Sequence, residues 1–136
     1  MTMIQAELLL PGTPGSGRGL ALTEPISFWG GVDPKSGTIA DVRHPERGQA
    51  IAGRTLMVPS TVGSCSGAAI LLELVHAGRA PAALILHEPD AILLLGLIVA
   101  KEMGWDVPIA LRLDRTHYDA LHDRDISVDS TGLLSF

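Results

Sequence analysis

The chain has 136 residues, 46% of them hydrophobic, with 15 glycines, 9 prolines and a net charge of 10 basic minus 15 acidic, or −5. That is enough for one domain with a real core, and little for an enzyme with a complete active site of its own. The acidic balance, with Lys35 and Lys101 as its lysines, argues against a nucleic-acid or anionic-membrane surface.

Cys65 stands alone, which excludes an intramolecular disulfide and fits a reducing compartment. The first ten residues carry Glu7 and lack the basic start of a signal peptide. The longest apolar run, residues 91–100, is about half the length of a membrane span. The expectation is a soluble, cytoplasmic protein with no membrane and no nucleic-acid partner.

In chain order, residues 6–10 read as a strand, followed by a break over the Pro- and Gly-rich residues 11–17. A second strand at 19–22 leads into Phe28-Trp29-Gly30-Gly31-Val32-Asp33-Pro34. Two aromatics beside two glycines, ending in Asp-Pro, read either as a shaped loop packed on something else or as an aromatic pair anchoring a hairpin. Residues 38–42 form a further strand, and His44 before Pro45 reads as surface loop. No Cys or second His stands at metal-ligand spacing from it, so no metal site is expected on this chain alone.

Residues 55–58, Thr-Leu-Met-Val, are a short buried strand stopped by Pro59. Residues 68–77 are apolar nearly all round and end at Gly78, with Pro81 beyond, as a buried helix does. An unbroken apolar strand at 82–86 then completes a parallel βαβ unit. His87-Glu88-Pro89-Asp90 follows at that strand's carboxyl end, where open α/β sheets place their sites, although Asp90 equally suits the cap of a helix starting at Ala91. A strand at 108–111 and a closing hairpin, 125–128 with 131–134, finish an α/β fold with a mixed sheet around a parallel core.

Between the strand at 55–58 and the helix lies Pro59-Ser60-Thr61-Val62-Gly63-Ser64-Cys65-Ser66-Gly67. A strand-to-helix junction offers backbone N–H groups and the positive end of the helix dipole, which favour a carboxylate or phosphate. Two readings stay open for its serines. Ser64 or Ser66 is an N-cap with glycines shaping the turn, or the hydroxyls belong to an anion site. It is no P-loop, since no Lys follows the glycine.

The run Phe28-Trp29-Gly30-Gly31-Val32-Asp33-Pro34, then Gly37-Thr38-Ile39, His44-Pro45, Gly48, Pro59-x-x-x-Gly63-Ser64 and Gly78-x-Ala80-Pro81, resembles the swivelling domain of the aconitase X family over residues 19–110. The resemblance implies a swivelling β/β/α domain, here residues 1–136 as one small subunit. It implies a two-chain hydro-lyase that dehydrates a small hydroxy-carboxylate, with an iron or iron–sulfur centre on the large catalytic subunit and none bound by this chain alone. The family's catalytic serine falls on Ser64, with Gly63, Cys65, Ser66 and Gly67 around the substrate and Phe28, Trp29, Gly30, Gly31 and Asp33 as a partner or active-site loop.

Cis-3-hydroxy-L-proline is the first substrate expected; phosphomevalonate is the alternative, and a carboxylate-binding module without chemistry is the reading from another class. Archaeal members more often carry a basic residue before the Gly-Ser pair, where this chain has Val62, which makes a phosphorylated substrate somewhat less natural.

Removing water across the α and β carbons of a carboxylate requires a base for the α-proton and a stabiliser for the aci-carboxylate. A helix N-terminus supplies the second and lowers the cost of a serine alkoxide in a dry site.

Overall fold

The structure, a computed structural model, describes residues 1–63 and 66–136. Its strands are β1 (Met3–Gln5), β2 (Glu7–Leu10), β3 (Gly15–Ala21), β4 (Val32–Asp33), β5 (Thr38–Ile39), β6 (Thr55–Val58), β7 (Ala83–Leu86), β8 (Ile109–Arg112), β9 (Asp125–Val128) and β10 (Leu133–Ser135). The helical elements are α1 (Phe28–Gly31), α2 (Gly67–His76), α3 (Ala91–Glu102), a 3-10 turn (Arg115–His117) and α4 (Tyr118–Leu121).

The main sheet runs β1-β10-β9-β3-β6-β7-β8-β2. Strands β3, β6, β7 and β8 are parallel to one another. The flanking pairs, β3 with β9, β9 with β10, β10 with β1 and β8 with β2, are antiparallel. Strands β1 and β2 are consecutive in the chain, with Ala6 alone between them, yet they occupy the two ends of the sheet. The sheet therefore folds back on itself, and the Ala6 N–H donates to the Gly132 carbonyl at 3.0 Å where its two ends meet.

Side-chain alternation along the central strands shows the resulting layers. Leu56 and Val58 of β6, Leu84 and Leu86 of β7 and Ala110 of β8 face one core with Leu71, Leu74, Leu93 and Leu97 of α2 and α3. Met57, Ala83, Ile85, Ile109 and Leu111 face the other core with Ile126, Val128 and Leu134 of the returning strands. Strands covered on both faces carry continuous apolar runs, and the order strand layer, strand layer, helix layer is the β/β/α arrangement. At the closing edge, the Thr2 N–H donates to the Phe136 carbonyl at 2.8 Å and the Phe136 N–H to that of Thr2 at 3.0 Å.

The sequence reading needs three corrections. Residues 15–17, expected in a break, are already strand β3, and their glycines serve close packing: a Cβ on Gly17 would lie 2.5 Å from the Gly53 carbonyl oxygen, and one on Gly19 would lie 2.2 Å from that of Leu121. The strand expected over 38–42 stops at Ile39, because Asp41 starts a turn by accepting the Arg43 N–H at 2.9 Å. His44, read as surface loop, is 6% exposed. Its Nδ1 accepts the Glu46 N–H at 3.1 Å, which leaves the proton on Nε2, 3.2 Å from the Glu24 carbonyl. A neutral imidazole used at both nitrogens is a structural strut rather than a metal ligand.

Candidate functional site

The carboxyl ends of β6 and β7 lead into two helices whose N-termini converge. Beyond β6 the chain runs through Pro59 and Thr61 to Gly63, and helix α2 starts at Gly67 with Ser66 in the N-cap position. Ser66 has helical backbone angles, φ −63° and ψ −17°, unlike the extended geometry usual for a serine side-chain cap. Ser64 and Cys65, expected as catalytic and substrate-binding residues, lie outside the described residues.

Beyond β7, Asp90 caps α3. Its Oδ1 accepts the Leu93 N–H at 3.0 Å and its Oδ2 accepts the Thr61 hydroxyl at 2.5 Å. Of the two readings left open for Asp90, the cap is realised, and the same carboxylate also holds the turn after β6. At α2, by contrast, the N-cap position is held by Ser66, and no carboxylate caps that helix among the described residues. The dipole of such a helix start favours a ligand's negative charge.

Between these elements lies a cleft of about 100 Å³ lined by Phe28, Thr61, Val62, Gly63, Gly67, Ala68, Asp90, Ile92 and Leu93. Its walls are kept close by small residues. A Cβ on Gly67 would touch the Phe28 Cβ at 3.5 Å and the Leu93 side chain at 3.7 Å, and one on Gly96 would lie 2.4 Å from the Ala68 carbonyl oxygen. Gly63 is required for its backbone as well. Its φ is +103°, and a Cβ there would meet the Ser27 Oγ at 2.7 Å.

The loop before α1 is tied to the same turn. The Ile26 N–H donates to the Ser60 carbonyl at 3.2 Å and the Val62 N–H to the Ile26 carbonyl at 3.1 Å, so a parallel bridge continues the pairing of β3 and β6 beyond their ends. Through it, Phe28 is buried at 2% exposure and reaches the cleft, while Trp29 stands 59% exposed. Gly30 turns the chain at φ +78° with open space around it. Gly31 packs against Ile26 and does not line the cleft.

Asp33 also turns away: its carboxylate accepts the Lys35 N–H at 2.9 Å and the Ser36 hydroxyl at 3.1 Å, closing the β4–β5 turn. Those bonds, the Lys35 N–H first, hold its carboxyl below the usual carboxylate range. Of the loop residues singled out in the sequence, the structure brings Phe28 to the cleft and gives Asp33 a folding role.

Three contributors escaped the sequence reading. Thr61 was inside the serine stretch with no signal beyond its type, and its partner Asp90 is 29 residues away. Ile92 and Leu93 looked like ordinary helix core. His87, also at the carboxyl end of β7, serves structure instead: its Nδ1 accepts the Arg115 N–H at 3.0 Å and its carbonyl accepts from Arg112 at 3.1 Å. Among the described residues, no three His, Cys, Asp or Glu side chains are grouped to hold a metal ion. With both Asp90 oxygens engaged, the described part of the cleft does not fit an iron or iron–sulfur centre. Nor is any helix among the described residues long and apolar enough to cross a membrane.

Comparison with known proteins places this architecture. The chain is 50% identical over 113 residues to the cis-3-hydroxy-L-proline dehydratase of Pseudomonas aeruginosa, a match covering 79% of this chain and 20% of that protein. The chain thus spans about one fifth of the length of this relative. It is 41% identical over 88 residues to the phosphomevalonate dehydratase small subunit of Methanothermobacter thermautotrophicus, covering 63% of this chain and 67% of that one. The crystal structure of holo aconitase X from Thermococcus kodakaraensis superposes with a TM-score of 0.83 at 26% identity, over 99% of this chain and 98% of that chain. Matched from residue 3 to residue 135 by the family model for the aconitase X swivel domain, the chain belongs to that family.

Proposed function

We propose that residues 1–136 form a single swivelling domain that works in the cytoplasm as the small subunit of a two-chain hydro-lyase, dehydrating cis-3-hydroxy-L-proline with Ser64 as the proton acceptor. The observation that carries the reading is the cleft between the N-termini of α2 and α3, where Asp90 caps α3 and no carboxylate among the described residues caps α2. The 50% identity to a cis-3-hydroxy-L-proline dehydratase supports the substrate.

In this reading the substrate carboxylate lies at the start of α2, against Gly63, Gly67 and Ser66. Ser64 takes the α-proton, the electron pair moves into the carboxylate as an aci-carboxylate, and the helix N–H groups stabilise that charge as it develops. Collapse of the aci-carboxylate forms the Cα=Cβ bond and expels the β-hydroxyl, which leaves as water on protonation. The iron or iron–sulfur centre belongs to the large catalytic subunit.

The phosphomevalonate reading has its own support in the 41% identity to an archaeal small subunit. Against it, the nine residues lining the cleft include no Lys or Arg to pair with a phosphate. The test is co-expression with a large dehydratase chain and assay of loss of water on both substrates. Turnover of cis-3-hydroxy-L-proline that requires both chains and falls with Ser64→Ala is the expected result. Turnover by the isolated small chain, or none with any large chain, overturns the proposal.

A further inference from the structure

Helix α3 is apolar on every side. Residues 91–100 read Ala-Ile-Leu-Leu-Leu-Gly-Leu-Ile-Val-Ala, without one charged or polar side chain. A helix that covers one face of a sheet needs only a stripe of apolar residues, and Leu93, Leu94, Leu97 and Ala100 supply it. The opposite side nevertheless carries Ile92, Leu95, Ile98, Val99 and Met103, each 41–56% exposed. Ile92, Leu95, Val99 and Met103 follow one another at steps of three, four and four, so they form one line along the helix. A helix hydrophobic all round is a buried helix, and nothing among the described residues covers that line.

The line begins at the cleft. Ile92 is part of the cleft wall together with Val62, itself 56% exposed in the serine turn. A body seated on α3 therefore also reaches the mouth of the site. We infer that the line Ile92, Leu95, Val99 and Met103, continued by Val62, is the seat of the large catalytic chain, which lays an apolar surface along α3 and closes the cleft against water. The inference rests on the two-chain reading above. Two observations favour this occupant. The Pseudomonas relative has 80% of its length outside the matched part, since 100% less 20% is 80%, so this domain there accompanies a much larger body. A second copy paired through α3 would instead cover Ile92 and Val62 with an identical surface, shutting both clefts against substrate.

The test uses the full chain with its large partner. Leu95→Glu and Val99→Glu, both exposed and outside the cleft lining, are compared with Met3→Glu on β1 as the control. Complex formation is read by size exclusion with light scattering and by calorimetry, and the fold of each isolated variant by its melting temperature. Leu95→Glu and Val99→Glu should keep the wild-type melting temperature within a few degrees and weaken the complex at least about tenfold, while Met3→Glu leaves it unchanged. Hydrogen exchange of the wild type gives a measurement free of mutation: amides of residues 92–103 should slow on complex formation.

Wild-type affinity in both variants, or no protection of α3, overturns the inference while leaving the two-chain reading standing. An isolated wild-type chain that dimerises, with Leu95→Glu restoring the monomer, assigns the surface to a second copy and overturns it too. A wild-type chain that binds no large subunit removes the two-chain reading itself.

Discussion

The hydroxyl of Thr61 donates to the same carboxylate of Asp90 whose other oxygen caps α3. One side chain thereby sets both the start of a helix and the shape of the serine turn, and the two effects separate by substitution. Asp90→Ala should lose the cap, costing about 1 kcal/mol and a few degrees of melting temperature, and should lower turnover by releasing the turn. Thr61→Val keeps the cap and removes only the tie to the turn. It should reduce turnover with a smaller change in melting temperature. Equal rates in wild type and Thr61→Val, measured in the assembled enzyme, would show that the tie has no part in the reaction.

Ser64→Ala should leave assembly and melting temperature almost unchanged and slow turnover by about 100- to 10,000-fold, the range for losing a positioned proton acceptor. Ser66→Ala is the control at the α2 N-cap position, two residues further on. It should cost at most about 1 kcal/mol of stability and, touching the substrate carboxylate rather than the α-proton, raise KM more than it lowers kcat. Steady-state rates beside thermal melts distinguish an acceptor from a cap, and near-normal turnover in Ser64→Ala removes the catalytic assignment.

Gly63→Ala should destabilise by about 1–3 kcal/mol, because φ +103° is strained for any residue with a Cβ and that Cβ would meet Ser27 Oγ. Adding Ser27→Gly relieves the contact and leaves the backbone strain. The double variant should recover part, not all, of the lost melting temperature. Full recovery would assign the whole effect to the clash.

Asp33 gives a pH dependence with a defined sign. Its carboxyl is held low first by the Lys35 N–H and then by the Ser36 hydroxyl, so folding is favoured with the group ionised. That contribution is fully present above the ordinary carboxylate value, about pH 4, and is lost as pH falls through the lower folded-state value. Asp129, held low first by the Thr131 hydroxyl and then by the Leu133 N–H, and Asp123, held low by Arg18, act in the same direction. Melting temperature should stay level down to about pH 5 and fall below about pH 4. Asp33→Asn, which cannot ionise, should make the fall shallower; an identical acid limb in wild type and variant would contradict the role given to Asp33.

The middle of the chain was legible because each element there is buried on both sides or stands alone as a helix. Apolar runs at 55–58, 82–86 and 108–111 had no competing explanation, and for Asp90 the cap stood as one of two equal readings beside the helix behind it. The closing hairpin was legible too, its first strand lying at the expected 125–128, but the N-terminal end was not. Splitting residues 3–10 into β1 and β2 at Ala6 depends on the sheet curling until its two ends meet, a long-range fact that no local pattern carries. Glycines at 15 and 17 carry no side chain to alternate, so the start of a strand built for close approach looked like a break. His44 looked exposed because His-Pro usually is; its bond from the Glu46 N–H is local, while its bond to the Glu24 carbonyl joins residues that the fold, rather than the sequence, makes neighbours. At the site, the glycines and Phe28 were visible as a motif, while the Thr61–Asp90 tie needed the βαβ crossover to bring 61 and 90 together.

The paired backbone bonds between Thr2 and Phe136 place the two ends of this chain side by side. Anything covalently joined to either end would leave from the same spot, on the layer of strands remote from α2 and α3. Such an attachment is a pivot: it restrains position and leaves rotation open. The domain can then present its cleft to a neighbour, or turn it away, without breaking a single internal hydrogen bond.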